Sequence, residues 1–449
     1  MVDHVLVAPD KFKGSLTAAE VAARVAAGLG VPAVELPVAD GGDGTVDAVV
    51  ACGFTRITRE VTGPTGRPVQ AAYAWHPTGH PAGDRPAGSA PPPTRDVGRP
   101  SGDVRPPERD IRSPAPDVRP SARDARSPTP DARPSAREPW PSARDARPTA
   151  VIELAEASGL RRLPGDREPL TATSYGTGEL IADAVERGAR RVVLGLGGSA
   201  CTDGGAGMVQ ALGARLLDTE GRELGPGGAA LRELDRIDLA AFPDVSGVEF
   251  VVASDVDNPL LGPHGAAAVY GPQKGATADD VRILEAALGR LAAVATRTHG
   301  LVGAVEHDGA PRPMGVAGAP GAGAAGGVGF AALAFLRADI RPGIDYLLDL
   351  LGFGEFVQGA RLVIVGEGSL DEQSLRGKAP VGVAQAAAKA GVPVVAVCGR
   401  RTLSDAELQV AGIKAAYALT DLEPDPVRCM AEAGPLLERL AARLAADRL

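Results

Sequence analysis

Several protein classes are excluded by what this chain lacks. Four cysteines, six histidines and 3% aromatic residues are all it has in 449 positions. Cys52, Cys201, Cys398 and Cys429 stand far apart with no CxxC pair, so neither a disulfide framework nor a zinc site of the usual spacing is expected. With so few rings, the core must be assembled mainly from Ala, Val and Leu. No uninterrupted apolar run reaches the roughly 20 residues that a bilayer demands. The strand-like His4–Ala8 leaves no room for a signal peptide, so a cytoplasmic protein is expected. A net charge of −9 gives no encouragement to a nucleic-acid or membrane partner. The P-loop pattern G-x-x-x-x-G-K-[ST] is missing, and so are the H-R-D and D-F-G sets of protein kinases.

Lysine is the most telling scarcity. Only six of the 47 basic residues are lysines, and four of them, Lys11, Lys13, Lys274 and Lys378, lie in glycine-marked loops. In an arginine-based chain this points to places where a compact, flexible ammonium is needed, as at a phosphate that moves. Lys389 and Lys414, in a helix pattern and near a strand, carry no such implication.

One stretch, from about Pro77 to Thr149, is composed of Pro, Arg, Asp, Ser, Ala and Gly and loosely repeats the pattern SARDAR. Such a composition cannot bury enough surface to offset its ordering entropy, so a disordered insertion is expected. Excising it joins Val69–Trp75 to Ala150–Ala155, two strand-like runs able to form a hairpin.

Elsewhere strand and helix patterns alternate. Apolar runs at His4–Ala8, Ala33–Val38, Arg191–Leu196, Val248–Ala253, Arg361–Val365 and Val392–Val397 read as buried strands, with Ala415–Thr420 a further candidate. Helices open at the capping box Thr17–Glu20 and near Thr45. The fold class is therefore α/β with mainly parallel sheets. The loops that follow the strands are rich in Gly, Asp, Ser and Lys, and that edge is where open α/β sheets bind ligands. Gly197, Gly198 and Ser199, with Gly204 and Gly205, make a candidate phosphate cradle, while Asp10, Asp40, Asp43, Asp203, Asp255, Glu367 and Asp371 supply carboxylates for magnesium or proton transfer. Carboxylates and lysines around one cleft suit phosphoryl transfer, which needs positioning and charge neutralisation above all.

Roles follow from these placements. Lys11 and Lys13 are candidates for neutralising charge on the transferred group, with Lys274, Lys378 and the loop residues Gly366, Glu367 and Ser374 on the nucleotide. Ser174, Tyr175 and Thr177, with Gly197 to Ser199, offer hydroxyls and amides to a small acid, and Arg376 offers its carboxylate a fork. Asp203, between the two glycine pairs, is the candidate base; Asp40 and Asp255 are the metal-side carboxylates. Gly321–Gly326 matches the dinucleotide fingerprint by letter, which keeps an NAD-dependent hydroxy-acid dehydrogenase as the alternative, but prolines interrupt the segment before it. A scaffold acting through the proline-rich insertion is a further alternative.

Eight motifs in order, Ala8–Ser15 (APDKFKGS), Val38–Thr45 (VADGGDGT), Thr173–Glu179 (TSYGTGE), Gly195–Gly207 (GLGGSACTDGGAG), Ala253–Gly265 (ASDVDNPLLGPHG), Gly271–Gly275 (GPQKG), Gly321–Gly327 (GAGAAGG) and Gly366–Ala379 (GEGSLDEQSLRGKA), resemble the bacterial class I glycerate kinases. The resemblance spans the chain except the insertion, and Cys201 with Thr202 departs from the family pattern at one point. It implies phosphorylation of D-glycerate with ATP and magnesium, 2-phosphoglycerate being favoured over 3-phosphoglycerate; as to assembly, a monomer or a homodimer is expected. It also implies two α/β domains, flavodoxin-like and restriction-endonuclease-like. Residues 1–62 with 301–449 would form the first, 63–300 the second, and 77–149 an insertion within the second.

Overall fold

A computed structural model describes residues 4–79, 146–299, 315–375 and 377–449. Among them the strands are β1 His4–Pro9, β2 Ala33–Glu35, β3 Thr55–Thr62, β4 Pro68–His76, β5 Thr149–Glu153, β6 Arg191–Gly195, β7 Arg215–Leu217, β8 Arg236–Asp238, β9 Glu249–Ala253, β10 Asp339–Arg341, β11 Ala360–Leu370, β12 Val394–Arg401 and β13 Ile413–Ala418. Five make a sheet in the order β13-β12-β11-β1-β2, parallel throughout. Six make another, β10-β9-β6-β5-β4-β3, which is parallel from β10 to β5 and antiparallel at the β4 and β3 edge. β7 and β8 pair as a small ribbon. The protein is α/β with mainly parallel sheets, as its strand patterns imply.

Strand residues alternate between two faces, and here both faces are apolar. Val192, Leu194, Phe250 and Val252 enter one core, whereas Val193 and Val251 enter a second that they share with Leu6, Ala8, Val363 and Val365 of the other sheet. Val5, Val7, Leu362 and Ile364 point the opposite way into a third core. A single apolar layer thus joins the two sheets. Helix Thr45–Ala51 belongs to it, and so does helix Gly343–Leu350, through Ile344, Leu347 and Leu350.

Helix Ala18–Leu29 starts at the expected capping box, Thr17 with Glu20, and stops at Gly30, whose left-handed φ of 64° an L side chain would resist. It packs so closely on helix Ala433–Arg448 that a Cβ on Gly28 would lie 2.2 Å from the Glu438 carbonyl oxygen.

The expected hairpin forms: β4 and β5 are antiparallel, from Tyr73 opposite Ile152 to His76 opposite Thr149. The insertion between them falls mostly outside the described residues; at its ends the Arg147 N–H donates to the Thr78 carbonyl at 3.0 Å. The division between sheets differs from the expected boundaries at 62/63 and 300/301. β3 pairs with its hairpin neighbour β4 along its whole length, and β10 pairs with β9, so Thr55–Thr62 and Asp339–Arg341 both belong to the six-stranded sheet. The chain crosses between sheets through helix Thr45–Ala51, seven residues of which four are buried, so β3 must follow it into the second sheet.

Candidate active site

Glycine contacts hold the carboxyl edges of the sheets together. A Cβ on Gly41 would lie 2.4 Å from the Ala253 carbonyl oxygen, one on Gly195 2.4 Å from the Gly41 oxygen, and one on Gly197 2.5 Å from Gly42 Cα. The loop Asp40–Gly44, reached from the five-stranded sheet, is thereby wedged against the ends of β6 and β9. Only residues without side chains permit this approach.

Two chambers open around the wedge. The larger, about 660 Å³, is lined by Asp10, Lys11, Lys13, Glu367, Asp371 and Arg400, with Leu419, Pro426, Cys429 and Met430 supplying apolar wall. The smaller, about 270 Å³, is lined by Gly197, Gly198, Ser199, Ser254, Asp255, Tyr270, Lys274 and Ala325. Asp40, Gly42, Gly198 and Lys378 border both.

Asp10 follows β1. Its carboxyl is pushed up to about 7, first by burial and then by Asp40 and Glu367, against the opposing pull of the Lys11 ammonium 3.8 Å away and the Lys11 N–H. Burial acts to discharge Lys11, but Asp10, Asp40, Asp43 and Glu153 together outweigh it and hold the ammonium above its ordinary value. Lys11 Nζ donates to the Asp43 carbonyl. Glu367, nearly buried, accepts from Ser374 Oγ at 2.5 Å and from Lys378 Nζ at 3.1 Å. Asp255 takes the Gly343 N–H on Oδ1 at 2.9 Å while opening to the small chamber; burial of its flank, with the Asp40 charge adding, pushes its carboxyl up to about 6.

The sign of the Asp10 shift gives a stability expectation. Its folded-state value lies above its ordinary 3.8, so the folded protein binds the extra proton between these values. The stabilisation is complete below the lower value and lost as pH rises through about 7. The ligand-free protein should therefore lose urea resistance from pH 5 to 8 more steeply than Asp10→Asn, which keeps the uncharged form throughout. Equal slopes for the two proteins would exclude this origin.

Other expected site residues are differently placed. Asp203 is fully buried and borders neither chamber. It accepts from the Ser174 N–H and Oγ, both at 2.8 Å, and from the Gly205 and Gly207 N–H groups at 3.1 and 3.2 Å. Saturated in this way, the carboxylate ties two loops together and has no access to a substrate proton, which corrects the reading of Asp203 as base. Ser174 and Thr177 are buried as well; Ser174 Oγ also accepts from the Met208 N–H, and Thr177 Oγ1 donates to Ser158 Oγ at 3.1 Å. They join the helix Tyr175–Glu186 to its neighbours, and Tyr175 lies outside both chamber walls. Asp203→Asn should lower stability by about 1–3 kcal/mol by disturbing buried donors, with kcat per folded molecule within a few-fold of the parent. Thermal melts and active-site-normalised turnover measure both.

Lys274, assigned above to the nucleotide, is buried at the small chamber, where Nζ donates to the Cys201 carbonyl; burial lowers its pKa against the pull of Cys201 and Asp203. Gly366 is packed against Pro9 and Val397, and its carbonyl accepts from the Asp10 N–H at 2.8 Å. Ser374 acts through Glu367 and borders neither chamber. Arg376 lies outside the described residues. Gly321–Gly326 follows a short 3₁₀ turn, Gly315–Gly318, and not a strand, so the dinucleotide strand–turn–helix is not formed.

Two groups escaped sequence reading. Arg400 lines the large chamber because β11 and β12 run on together past the expected ends, with Ser369 opposite Arg400; its Nε donates to Ser369 Oγ at 3.0 Å. Arg161 bridges Asp43, Glu156 and the buried Glu153, the last at 3.2 Å. Glu153 in turn accepts from the Gly44 and Val46 N–H groups, capping helix Thr45–Ala51 from the other sheet.

Comparison with known proteins decides the family. The model of the glycerate kinase family matches residues 5–83 and 130–448. The chain belongs to the glycerate kinase family. It is 38% identical over 451 residues to a glycerate kinase of Bacillus subtilis (strain 168), covering 99% of this chain and 97% of that one. Identity to a glycerate 2-kinase of Escherichia coli (strain K12) is 36%, covering 92% of this chain and 90% of the relative. A crystal structure from Salmonella typhimurium LT2, provisionally named glycerate kinase 2, superposes with a TM-score of 0.71 at 34% identity, covering 100% of this chain and 98% of that one. As a glycerate kinase the chain is a phosphotransferase, and the dehydrogenase alternative loses its ground.

Proposed function

We propose that this chain transfers the γ-phosphoryl group of ATP to D-glycerate where the two chambers meet, giving 2-phosphoglycerate. The observation that carries this reading is the shared wall of Asp40, Gly42, Gly198 and Lys378: a donor in one chamber and an acceptor in the other would touch the same four residues. About 660 Å³ lined by ammonium groups and by the apolar Leu419, Pro426 and Met430 suits a nucleotide. About 270 Å³ suits a three-carbon acid. In this reading Lys11, Lys13, Lys378 and Arg400 receive the phosphates, and the Gly197–Ser199 segment receives the glycerate carboxylate. Asp255 replaces Asp203 as base and takes the proton of the attacking hydroxyl.

The donor set also fits magnesium. Among the described residues no three or more His, Cys, Asp or Glu side chains cluster tightly enough to hold a metal alone. Magnesium in kinases is normally held by one or two carboxylates together with phosphates and water. Asp40, flanked by Asp10 and Asp255, each of which it drives upward, is the carboxylate such an ion would relieve. When bound, it would neutralise charge on the transferred group. The 2-position is favoured by the name of the Escherichia coli relative.

Phosphorus NMR of the reaction with D-glycerate and MgATP tests the whole reading. The expected result is 2-phosphoglycerate with stoichiometric ADP. A 3-phosphoglycerate signal would overturn the regiochemistry, and the absence of any phosphoglycerate would overturn the substrate.

A further inference from the structure

Helix Thr45–Ala51 starts directly after the loop Asp40–Gly44, and nothing in its own loop caps it. Gly44 stands at the cap position with a left-handed φ of 91° and has no side chain to offer. A Cβ there would lie 3.1 Å from Lys11 Cδ, so glycine is what lets the Lys11 stem pass to the Asp43 carbonyl. The missing acceptor comes from 109 residues further along the chain. Glu153 Oε2 accepts from the Gly44 N–H at 3.0 Å and from the Val46 N–H at 3.3 Å.

Glu153 ends β5, opposite Gly195 of β6, and at 1% exposure it borders neither chamber. Its other oxygen, Oε1, accepts from Arg161 at 3.2 Å, and Arg161 also pairs with Asp43. The turn that carries Arg161 is tied by its backbone to the loop after β6. The Leu160 N–H donates to the Gly198 carbonyl at 2.9 Å, and the Ala200 N–H donates to the Ser158 carbonyl at 2.9 Å. One buried carboxyl therefore holds the Asp40–Gly44 loop on one oxygen and, on the other, the turn attached to Gly198. Burial pushes this carboxyl up, and Arg161 is the chief group opposing it. A buried ionisable group is a costly way to cap a helix that a serine or asparagine could serve.

We infer that Glu153 is a positioning residue for phosphoryl transfer: its reach fixes the Asp40–Gly44 loop against Gly198 and so aligns the two chambers. The inference rests on the reading that transfer occurs where the chambers meet. Asp40, Gly42 and Gly198 border both of them, so a shift of this loop alters the path from donor to acceptor without removing the wall of either. Misplacement by about 1 Å can slow a reaction by about 10²-fold.

Two conservative variants of the full chain separate reach from charge. Glu153→Asp keeps the carboxylate but withdraws it by one methylene from the Gly44 and Val46 amides. It should slow single-turnover transfer at saturating ATP and D-glycerate by about 10–100-fold. The KM for each substrate should stay within about threefold of the parent, because the binding groups themselves remain. Glu153→Gln keeps the length and an acceptor oxygen, and should transfer within about threefold of the parent rate. Melting curves give the folded fraction, to which each rate is normalised. Parental transfer by Glu153→Asp overturns the inference, and so does a defect of that variant confined to KM. A Glu153→Gln protein slower than Glu153→Asp also overturns it, since charge and not reach would then be what matters. No transfer by the unaltered chain overturns the functional reading together with the inference, and is seen before any variant is made.

Discussion

Replacing Asp255 by asparagine is expected to lower kcat by roughly 10²–10⁴ while leaving the affinity for ATP nearly intact. In the function proposed above this residue is the proton acceptor, and its position supports that role. It lies two residues past the end of β9, where the chain turns into the cleft, and the Gly343 N–H fixes one carboxylate oxygen at 2.9 Å. That contact is possible because residue 343 is glycine; a Cβ there would stand 2.0 Å from the Asp40 carbonyl oxygen. Asp255 is also part of the wall of the small chamber. Although Asp255 is exposed overall, the protein bulk at its flank and the Asp40 charge push its carboxyl up to about 6, which makes it a stronger base than an ordinary aspartate and leaves it ionised at neutral pH. The active form is the carboxylate, so kcat/KM should fall as pH drops through about 6, and this acid limb should vanish in Asp255→Asn. A near-normal kcat in that variant, or an unchanged acid limb, would assign the proton to another group.

The contrast between Asp255 and Asp203 marks how far the sequence could be read. Both are aspartates in glycine-bearing loops after an apolar strand, and in one dimension they are equivalent. In the fold one opens to a cavity, and the other is closed by four hydrogen bonds from Ser174, Gly205 and Gly207. The signal that separates them is the partner loop at 173–174, which is distant in sequence. The strand order within each sheet was hidden for the same reason, although the strands and their parallel character were legible from apolar runs buried on both faces. Lysine scarcity was informative because chemistry and composition act locally: Lys11, Lys13, Lys274 and Lys378 all border one of the two chambers. Arg400 gave no signal in a chain rich in arginine. Its place depends on β11 and β12 continuing as a pair to Leu370 and Arg401, beyond the glycines that suggested a loop.

Lys378→Met should reduce kcat/KM by an amount equivalent to about 2–4 kcal/mol of transition-state stabilisation, the loss typical of one preorganised electrostatic donor. Of the four loop lysines, Lys378 alone borders both chambers. Its Nζ rests 3.1 Å from Glu367 Oε1, and Ser374 Oγ holds the other oxygen of that carboxylate at 2.5 Å, so the resting ammonium has a fixed anchor. In the proposed reading a group transferred between the chambers would pass this point, and an ammonium on a four-carbon stem could leave Glu367 for the phosphoryl oxygens without repacking its neighbours. Lys11 is more tightly engaged, by the Asp43 carbonyl and by Asp10, and so has less freedom to follow the reaction. Lys378→Arg should also be impaired, because a planar fork paired with Glu367 in two contacts would be slower to release and too wide for a point-charge site. The diagnostic measurement is single-turnover phosphoryl transfer at saturating ATP and glycerate, which removes binding from the comparison. A Lys378→Arg protein that transfers at the parent rate would show that any cation suffices there, and the reading of lysine scarcity as a mark of moving phosphate would have to be abandoned.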